Sequence, residues 1–246
     1  MIDVRRIEEL GLNSSAPPAQ LLYDGWLLRL SPGKAKRARS VNAVYTSRMP
    51  LDQKIAHCEE VYLQANLPMI FRITPFSEPS SLDSELERRG YTKFEQTAVE
   101  SAALESAPAD GGAGRLELGP WIDAVGSLRR SPAAHREAHL ARLEKLPLAK
   151  LAVAIEDEEG VAATGLTIVE DGVAGLFDIV TREDARRRGH GRRVVASLLH
   201  HAHSHGARAA YLQVEAANTP ARTLYRDFGF SERYMYWYRA HPREGL

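Results

Sequence analysis

The stretch that decides the fold reads Asp178-Ile179-Val180-Thr181-Arg182-Glu183-Asp184-Ala185-Arg186-Arg187-Arg188-Gly189-His190-Gly191-Arg192-Arg193. Residues 173–180 are apolar enough for a largely buried strand. Behind the stretch, Val194, Val195, Leu198 and Leu199 recur at helical spacing. The pattern predicts a strand, a basic glycine loop and a helix start. Glycine permits unusual dihedrals and a close approach of ligand to backbone. A helix start offers unpaired N–H groups and a positive dipole end to an anion. Six arginines between Arg182 and Arg193 add positive charge. This reads as a phosphate cradle; the plainer alternative is an arginine-rich turn with a glycine bend. It is no Walker loop, which would end Gly-Lys-Ser/Thr, and no dinucleotide fingerprint, whose third glycine would fall on Val194.

Working outward, a helix is expected to about His205, then a strand over 209–215. Next comes Asn218-Thr219-Pro220-Ala221-Arg222-Thr223-Leu224-Tyr225-Arg226-Asp227-Phe228-Gly229-Phe230. Upstream, 151–156, 161–169 and 173–180 read as three strands, with turns at Asp157-Glu158-Glu159-Gly160 and Asp171-Gly172. Residues 121–146 are helical, with Pro132 marking a break between two helices. Arg186-x-x-Gly189-x-Gly191 resembles the pyrophosphate loop of GNAT-family (GCN5-related) N-acetyltransferases. The second motif matches that family's Asn-x-x-Ala-x-x-Leu-Tyr-x-x-x-Gly-Phe pattern at every position. The resemblance covers roughly 116–239, about half the chain.

The resemblance implies a sheet splayed beside the loop. Ile179, Val180 and Thr181 would offer backbone groups to the acetyl-pantetheine arm of acetyl-CoA. The loop from Arg186 through Arg187, Arg188, Gly189, His190, Gly191 and Arg192 would hold the pyrophosphate. Asn218 and Ala221 would border the pantetheine. Tyr225 matches the family tyrosine near the sulfur; a phenol is protonated at neutral pH and can serve as an acid toward the leaving thiolate. The implied reaction is direct attack of an amine on the thioester, without a metal. Glu215, ending a strand, and Asp178, in the splayed strand, are both candidates for the base. The structural alternatives are an ion pair for Asp178, a helix cap for Asn218 and core packing for Leu224, Phe228 and Phe230. Glu183 stands where the family often has proline, and 234–238 reads as a single aromatic strand without a second to close a hairpin.

The first half offers a short helix ending near Gly11, a strand over 21–30 with Asp24-Gly25 as a turn inside it, a basic solvated loop over 34–39, a strand over 41–45, and then helix, strand, helix and strand to 104. That order parallels the second half, a sign of a structural repeat. Met49-Pro50 stands where the first copy's cradle would be, and proline lacks a donor. This copy is expected to bind no CoA and to serve the acceptor or a homodimer. Residues 106–114, Ser-Ala-Pro-Ala-Asp-Gly-Gly-Ala-Gly, read as a linker. The expectation is an α/β (α+β) protein of tandem GNAT-like domains, 1–105 and 115–246. Each would have a mixed, mostly antiparallel sheet flanked by helices, splayed in the second at the acetyl-CoA site.

Composition narrows the alternatives. Of 246 residues 44% are hydrophobic, enough for a packed core, and the formal net charge is +0. Neutral charge, and arginines without interleaved aromatics, argue against nucleic acid. No apolar run approaches a membrane span, and residues 1–10 lack a signal-peptide core. A cytoplasmic enzyme is expected, with a non-catalytic acyl-CoA sensor as the rival reading. Cys58 is the only cysteine, so no internal disulfide forms. His135 and His139 are spaced i, i+4, yet no zinc-protease motif surrounds them, and solvated or substrate-facing histidines are expected. His201 and His205 share a helix face, where solvated residues that complement the helix dipole are expected over a metal site.

Overall fold

A computed structural model describes residues 2–244. The sequence-based bounds at Met1 and at 245–246 lie outside the described residues. In chain order the elements are α1 (Val4–Ser14), β1 (Ala19–Tyr23), β2 (Trp26–Leu30), β3 (Val41–Ala43), α2 (Leu51–Gln64), β4 (Ile70–Ile73), α3 (Leu82–Arg88) and β5 (Thr92–Ala103). Then follow β6 (Gly114–Leu116), α4 (Leu118–Leu128), α5 (Ala133–Lys145), β7 (Ala149–Asp157), β8 (Gly160–Glu170) and β9 (Val173–Thr181). The last four are α6 (His190–Ser204), β10 (Ala209–Glu215), α7 (Thr219–Arg226) and β11 (Ser231–Ala240). The result is a mixed, mostly antiparallel sheet fold flanked by helices, as the sequence implied.

The chain forms two compact units that are interleaved in sequence. One contains residues 2–14, Val99–Val214 and Asn218–Arg233; the other contains Ser15–Ala98, Glu215–Ala217 and 234–244. In the first unit the strand order is β5-β10-β9-β8-β7-β6. Strand β8 is buried continuously from Ala162 to Thr167, as expected for a central strand covered on both faces, and α4 and α6 pack on it. Gly165 allows α6 to approach: a Cβ there would lie 2.5 Å from Val194 Cγ1 and 2.8 Å from Leu198 Cδ1. Val194, Val195, Leu198 and Leu199 form the buried stripe of α6, and each such side chain contributes about 1.5–3 kcal/mol. That packing fixes where the N-terminus of α6 stands.

Two irregularities open the sheet beside that N-terminus. The β8–β9 register shifts between Thr164 and Leu166, opposite Asp178, whose φ is 49°. Aspartate tolerates this left-handed conformation better than most residues. Strand β10 pairs with β9 in parallel only from Ala209↔Val173 to Leu212↔Leu176, so residues 177–181 of β9 run on without that partner.

Three local expectations change. Helix α1 continues through Gly11 to Ser14, because Gly11 is no left-handed stop; a Cβ there would lie 2.7 Å from Gln213 Nε2. Residues 34–39 contain a short 3-10 turn, and Arg37 and Arg39 are half-buried rather than solvated. The stretch 106–114, composed like a linker, is fastened to α6. Asp110 Oδ1 accepts from Ser197 Oγ at 2.5 Å, Gly111 O accepts from Arg193 Nε at 2.9 Å, and Pro108 O lies 2.9 Å from His200 Nδ1.

The second unit has the order β1-β2-β3-β4-β11. Its core gathers Trp26, Leu28, Ile55, Cys58, Tyr62, Phe71, Leu82 and Leu86. Burial pushes the Cys58 thiol up to about 12, so it is a filler and not a nucleophile. The turn that enters α2 is closed by its own chain. Asp24 Oδ2 accepts from Ser47 Oγ (2.5 Å), Met49 N (2.9 Å) and Arg48 N (3.0 Å). Lys54, fully buried, donates to Asp24 O at 2.6 Å and to Ser47 Oγ at 2.7 Å, and lies 4.0 Å from the Trp26 ring centroid.

Candidate active site

The first unit holds the basic loop between β9 and α6. Residues 183–185 make a 3-10 turn, in which Ala185 N donates to Arg182 O at 3.1 Å. Arg187 (φ 62°) and Gly189 (φ 83°) then turn the chain through the left-handed region. Gly189 is the N-cap of α6 and has no side chain to cap it. The first amide after the loop with an intramolecular partner is that of Arg193, to Gly189 O at 3.1 Å; those of 187–192 have no acceptor among the described residues. Six N–H groups at a helix start are thus left for an external anion, with the dipole behind them.

The six loop arginines divide into two sets. Arg182 is held by Asp157 and Glu159 at 2.9 Å each and by Asp184 at 2.6 Å. Arg192 pairs with Asp227 at 2.6 Å over the Phe228 ring, and Arg193 donates to Gly111 O. Arg186, Arg187 and Arg188 are exposed and have no ion pair among the described residues. They are the charges free to meet phosphate oxygens. His190 has a buried Nδ1 without a hydrogen-bond partner. Gly191 faces Thr181 Oγ1 and Leu224 Cδ2, which a Cβ would approach to 3.4 and 3.5 Å.

Beyond the part of β9 that pairs with β10, Ile179, Val180 and Thr181 are each half-exposed. Asn218 caps α7, its Oδ1 accepting from Ala221 N at 3.2 Å. The cap reading therefore holds for its oxygen, and Ala221 has only its methyl and carbonyl left to offer. Tyr225 is 7% exposed and its ring meets Phe230 at 6.1 Å between centroids. Its hydroxyl has no hydrogen-bond partner among the described residues. Burial, with a smaller effect of Glu100, pushes the phenol up to about 12. Glu100 is itself fixed by Arg222 Nε at 2.7 Å.

The two candidate bases differ. Glu215 is exposed at the end of β10 and falls in the other compact unit. Asp178, with 14% of its side chain exposed, is 2.7 Å from Arg129 Nη1 and 3.5 Å from His139 Nε2. Thr164 Oγ1 donates to its carbonyl at 3.3 Å, supporting the bulge. Arg129 ends α4, and His139 lies on α5 with its ring edge-on to Trp121 at 5.8 Å. The sequence left His139 as either solvated or substrate-facing and carried no sign of Arg129. Among the described residues no three His, Cys, Asp or Glu side chains are placed to hold a metal ion. Nor is any helix long and apolar enough to cross a membrane.

The candidate site thus combines a bulged strand, an uncapped, arginine-flanked helix start and a buried tyrosine on the next helix. Residues 121–230 match the model of the acetyltransferase (GNAT) family. The chain is 32% identical over 249 residues to a Bacillus subtilis protein described as the uncharacterized N-acetyltransferase YobR, covering 97% of this chain and 99% of that one. A GCN5-related N-acetyltransferase from Kribbella flavida has the same fold, with a TM-score of 0.73 at 16% identity, over 98% of this chain and 96% of that one. A tandem GNAT protein from the clavulanic acid biosynthesis pathway is similar in fold, with a TM-score of 0.59 at 13% identity, over 94% and 87% of the two chains. The chain belongs to the GNAT family of acetyltransferases and is an acyltransferase.

Proposed function

We propose that the chain transfers the acetyl group of acetyl-CoA to a primary amine by direct attack. The observation that carries this is the start of α6, where six unpaired amides stand behind a left-handed glycine and beside three free arginines. A pyrophosphate fits that donor set. Ile179, Val180 and Thr181, freed from β10 by the splay, would take the acetyl-pantetheine arm, with Asn218 and Ala221 on its other side. The amine lone pair forms the C–N bond, and the C–S pair leaves on sulfur. Tyr225 would give its proton to that thiolate and recover one from water; the proton lost by the acceptor ammonium goes to a base. The unit built on Ser15–Ala98 would bind no CoA, because Asp24 already takes the amides of the turn that enters α2 and Pro50 at its N-cap has none to give.

Thiol release from acetyl-CoA, measured with a panel of primary amines, tests the proposal. Release that depends on one class of amine is expected. Calorimetric binding of acetyl-CoA with no thiol release for any amine would favour the sensor reading instead.

A further inference from the structure

We propose that His139 is the base that takes the proton from the acceptor ammonium, and that Asp178 is the residue that positions it. This deepens the acetyl-transfer reading and rests on it. Asp178 is a poor candidate for the base because its Oδ1 is already held by Arg129 at 2.7 Å. Its other oxygen faces His139 Nε2 at 3.5 Å. That geometry favours the imidazole tautomer with its proton on Nε2, leaving the Nδ1 lone pair as acceptor. Nδ1 has no hydrogen-bond partner among the described residues, and 23% of the side chain is exposed. Asp178 immediately precedes Ile179, the first of the residues expected along the acetyl-pantetheine arm. The histidine is thereby placed beside the reacting end of the cofactor and not at its phosphates.

The charged groups around the ring are Asp178 from β9, Arg129 from the end of α4 and Arg142 from its own helix. Burial is the largest influence and disfavours the imidazolium; Arg142 and Arg129 act in the same direction, and Asp178 opposes them. The outcome is a ring below its ordinary range, neutral at pH 7 and able to accept a proton. Trp121 against the ring edge limits its rotation. On proton transfer Asp178 faces the imidazolium and compensates the new charge. The ammonium N–H bond breaks, its electron pair stays on nitrogen, and the proton moves to Nδ1.

The test uses the full chain carrying His139→Gln. Acetyl-CoA affinity by calorimetry is expected to change less than about threefold, while turnover of primary alkylamines at pH 7 falls by about 10²-fold, the scale of positioned acid–base catalysis. Hydroxylamine, already unprotonated at neutral pH, should lose much less. The acid limb of kcat/KM set by His139 should be replaced in the variant by a rise that runs on toward the pKa of the amine itself. A second measurement needs no turnover: the His139 imidazole, assigned by its loss in His139→Gln, is followed by NMR titration. Asp178→Asn should lower its pKa further and Arg129→Gln should raise it. Turnover of alkylamines within about threefold of the parent, with the acid limb intact, would overturn the proposal, since under ~1 kcal/mol of barrier would then have been lost. An imidazole still charged at pH 7 would overturn it equally. Failure of the acetyl-transfer reading looks different, because the parent itself would then bind no acetyl-CoA or release no thiol.

Discussion

The starts of α6 and α2 hold opposite solutions to the same physical problem. Each helix leaves N–H groups without intrahelical acceptors. In the turn entering α2 the chain supplies its own anion: the Asp24 carboxylate accepts from Arg48 N and Met49 N, just before the N-cap Pro50, and buried Lys54 holds the same turn. At α6 Gly189 offers no side chain, and the amides of 187–192 have no acceptor among the described residues. Secondary structure alone does not separate the two helix entries; they differ in whether an internal carboxylate takes the amides of the turn before the helix.

The largest expected effect comes from breaking the open start. Gly189→Val forces a β-branched residue into φ 83°, which costs about 1–3 kcal/mol, and each cradle hydrogen bond it displaces is worth about 1 kcal/mol. Acetyl-CoA affinity should fall at least about 100-fold, or roughly 2.7 kcal/mol. Met49→Val at the closed start should leave it unchanged. Equal calorimetric affinities for the two variants would erase the difference between the helix starts.

Buried tyrosines extend the contrast. Tyr62 donates to Arg29 O at 2.8 Å and Tyr91 to Glu59 at 2.6 Å, both as structural ties in the second unit. Tyr225 has no such tie. With its phenol pushed up to about 12, it stays protonated throughout the working range and contributes no alkaline limb there. Tyr225→Phe should therefore lower turnover by about 10²-fold and by the same factor from pH 7 to 10, with acetyl-CoA affinity retained. A turnover number within about threefold of the parent would make Tyr225 a wall of the channel.

Much of this was legible because it is local. The loop, its flanking strand and helix, and the Asn218–Tyr225 helix each follow from spacing within a dozen or so residues. Pro50 likewise announced the missing donor at α2. What escaped the sequence is pairing over distance. Asp24 is 25 positions from the amide of Met49 that it caps, and no periodicity joins them. Asp178 is called to Arg129 and His139 by the bulge in β9, and a bulge leaves no trace in composition. The stretch 106–114 has a linker's residues, but its glycines serve to let the backbone lie against α6: a Cβ at Gly111 would come within 2.0 Å of Arg193 O.

Opening the closed start should affect stability and not cofactor binding. The hydroxyl of Ser47, followed by the amides of Met49 and Arg48, holds the Asp24 carboxyl below its usual range. Its contribution to stability is therefore present above the ordinary aspartate pKa of about 4 and fades as pH falls below it. Asp24→Asn should lower the midpoint of thermal unfolding at pH 7, and the gap from the parent should narrow as the pH is taken down through 4 toward 2. Calorimetry should still find one acetyl-CoA site, because Pro50 supplies no donor even when the carboxylate is gone. A second site in Asp24→Asn would show that the carboxylate alone had kept the cofactor out.

The smallest effect separates the two glycines of the open start. Gly191 lies inside α6 with φ outside the left-handed region, and an added Cβ would make only ordinary contacts at 3.4 Å with Thr181 Oγ1 and 3.5 Å with Leu224 Cδ2. Gly191→Ala therefore strains nothing, and alanine in a helix is favoured over glycine by roughly 0.5–1 kcal/mol. Thermal stability should hold or rise. The methyl still stands in the first turn, where phosphate oxygens must approach the amides, so acetyl-CoA affinity should fall by only a few-fold. Gly189→Ala, in contrast, meets no neighbour within 4 Å and is penalised only through its φ of 83°. It should lose both stability and affinity. The pair thus distinguishes a glycine needed for its backbone from one needed for its missing side chain. If both alanine variants lost stability alike, the left-handed turn at Gly189 would have no special part in holding the start of α6 open.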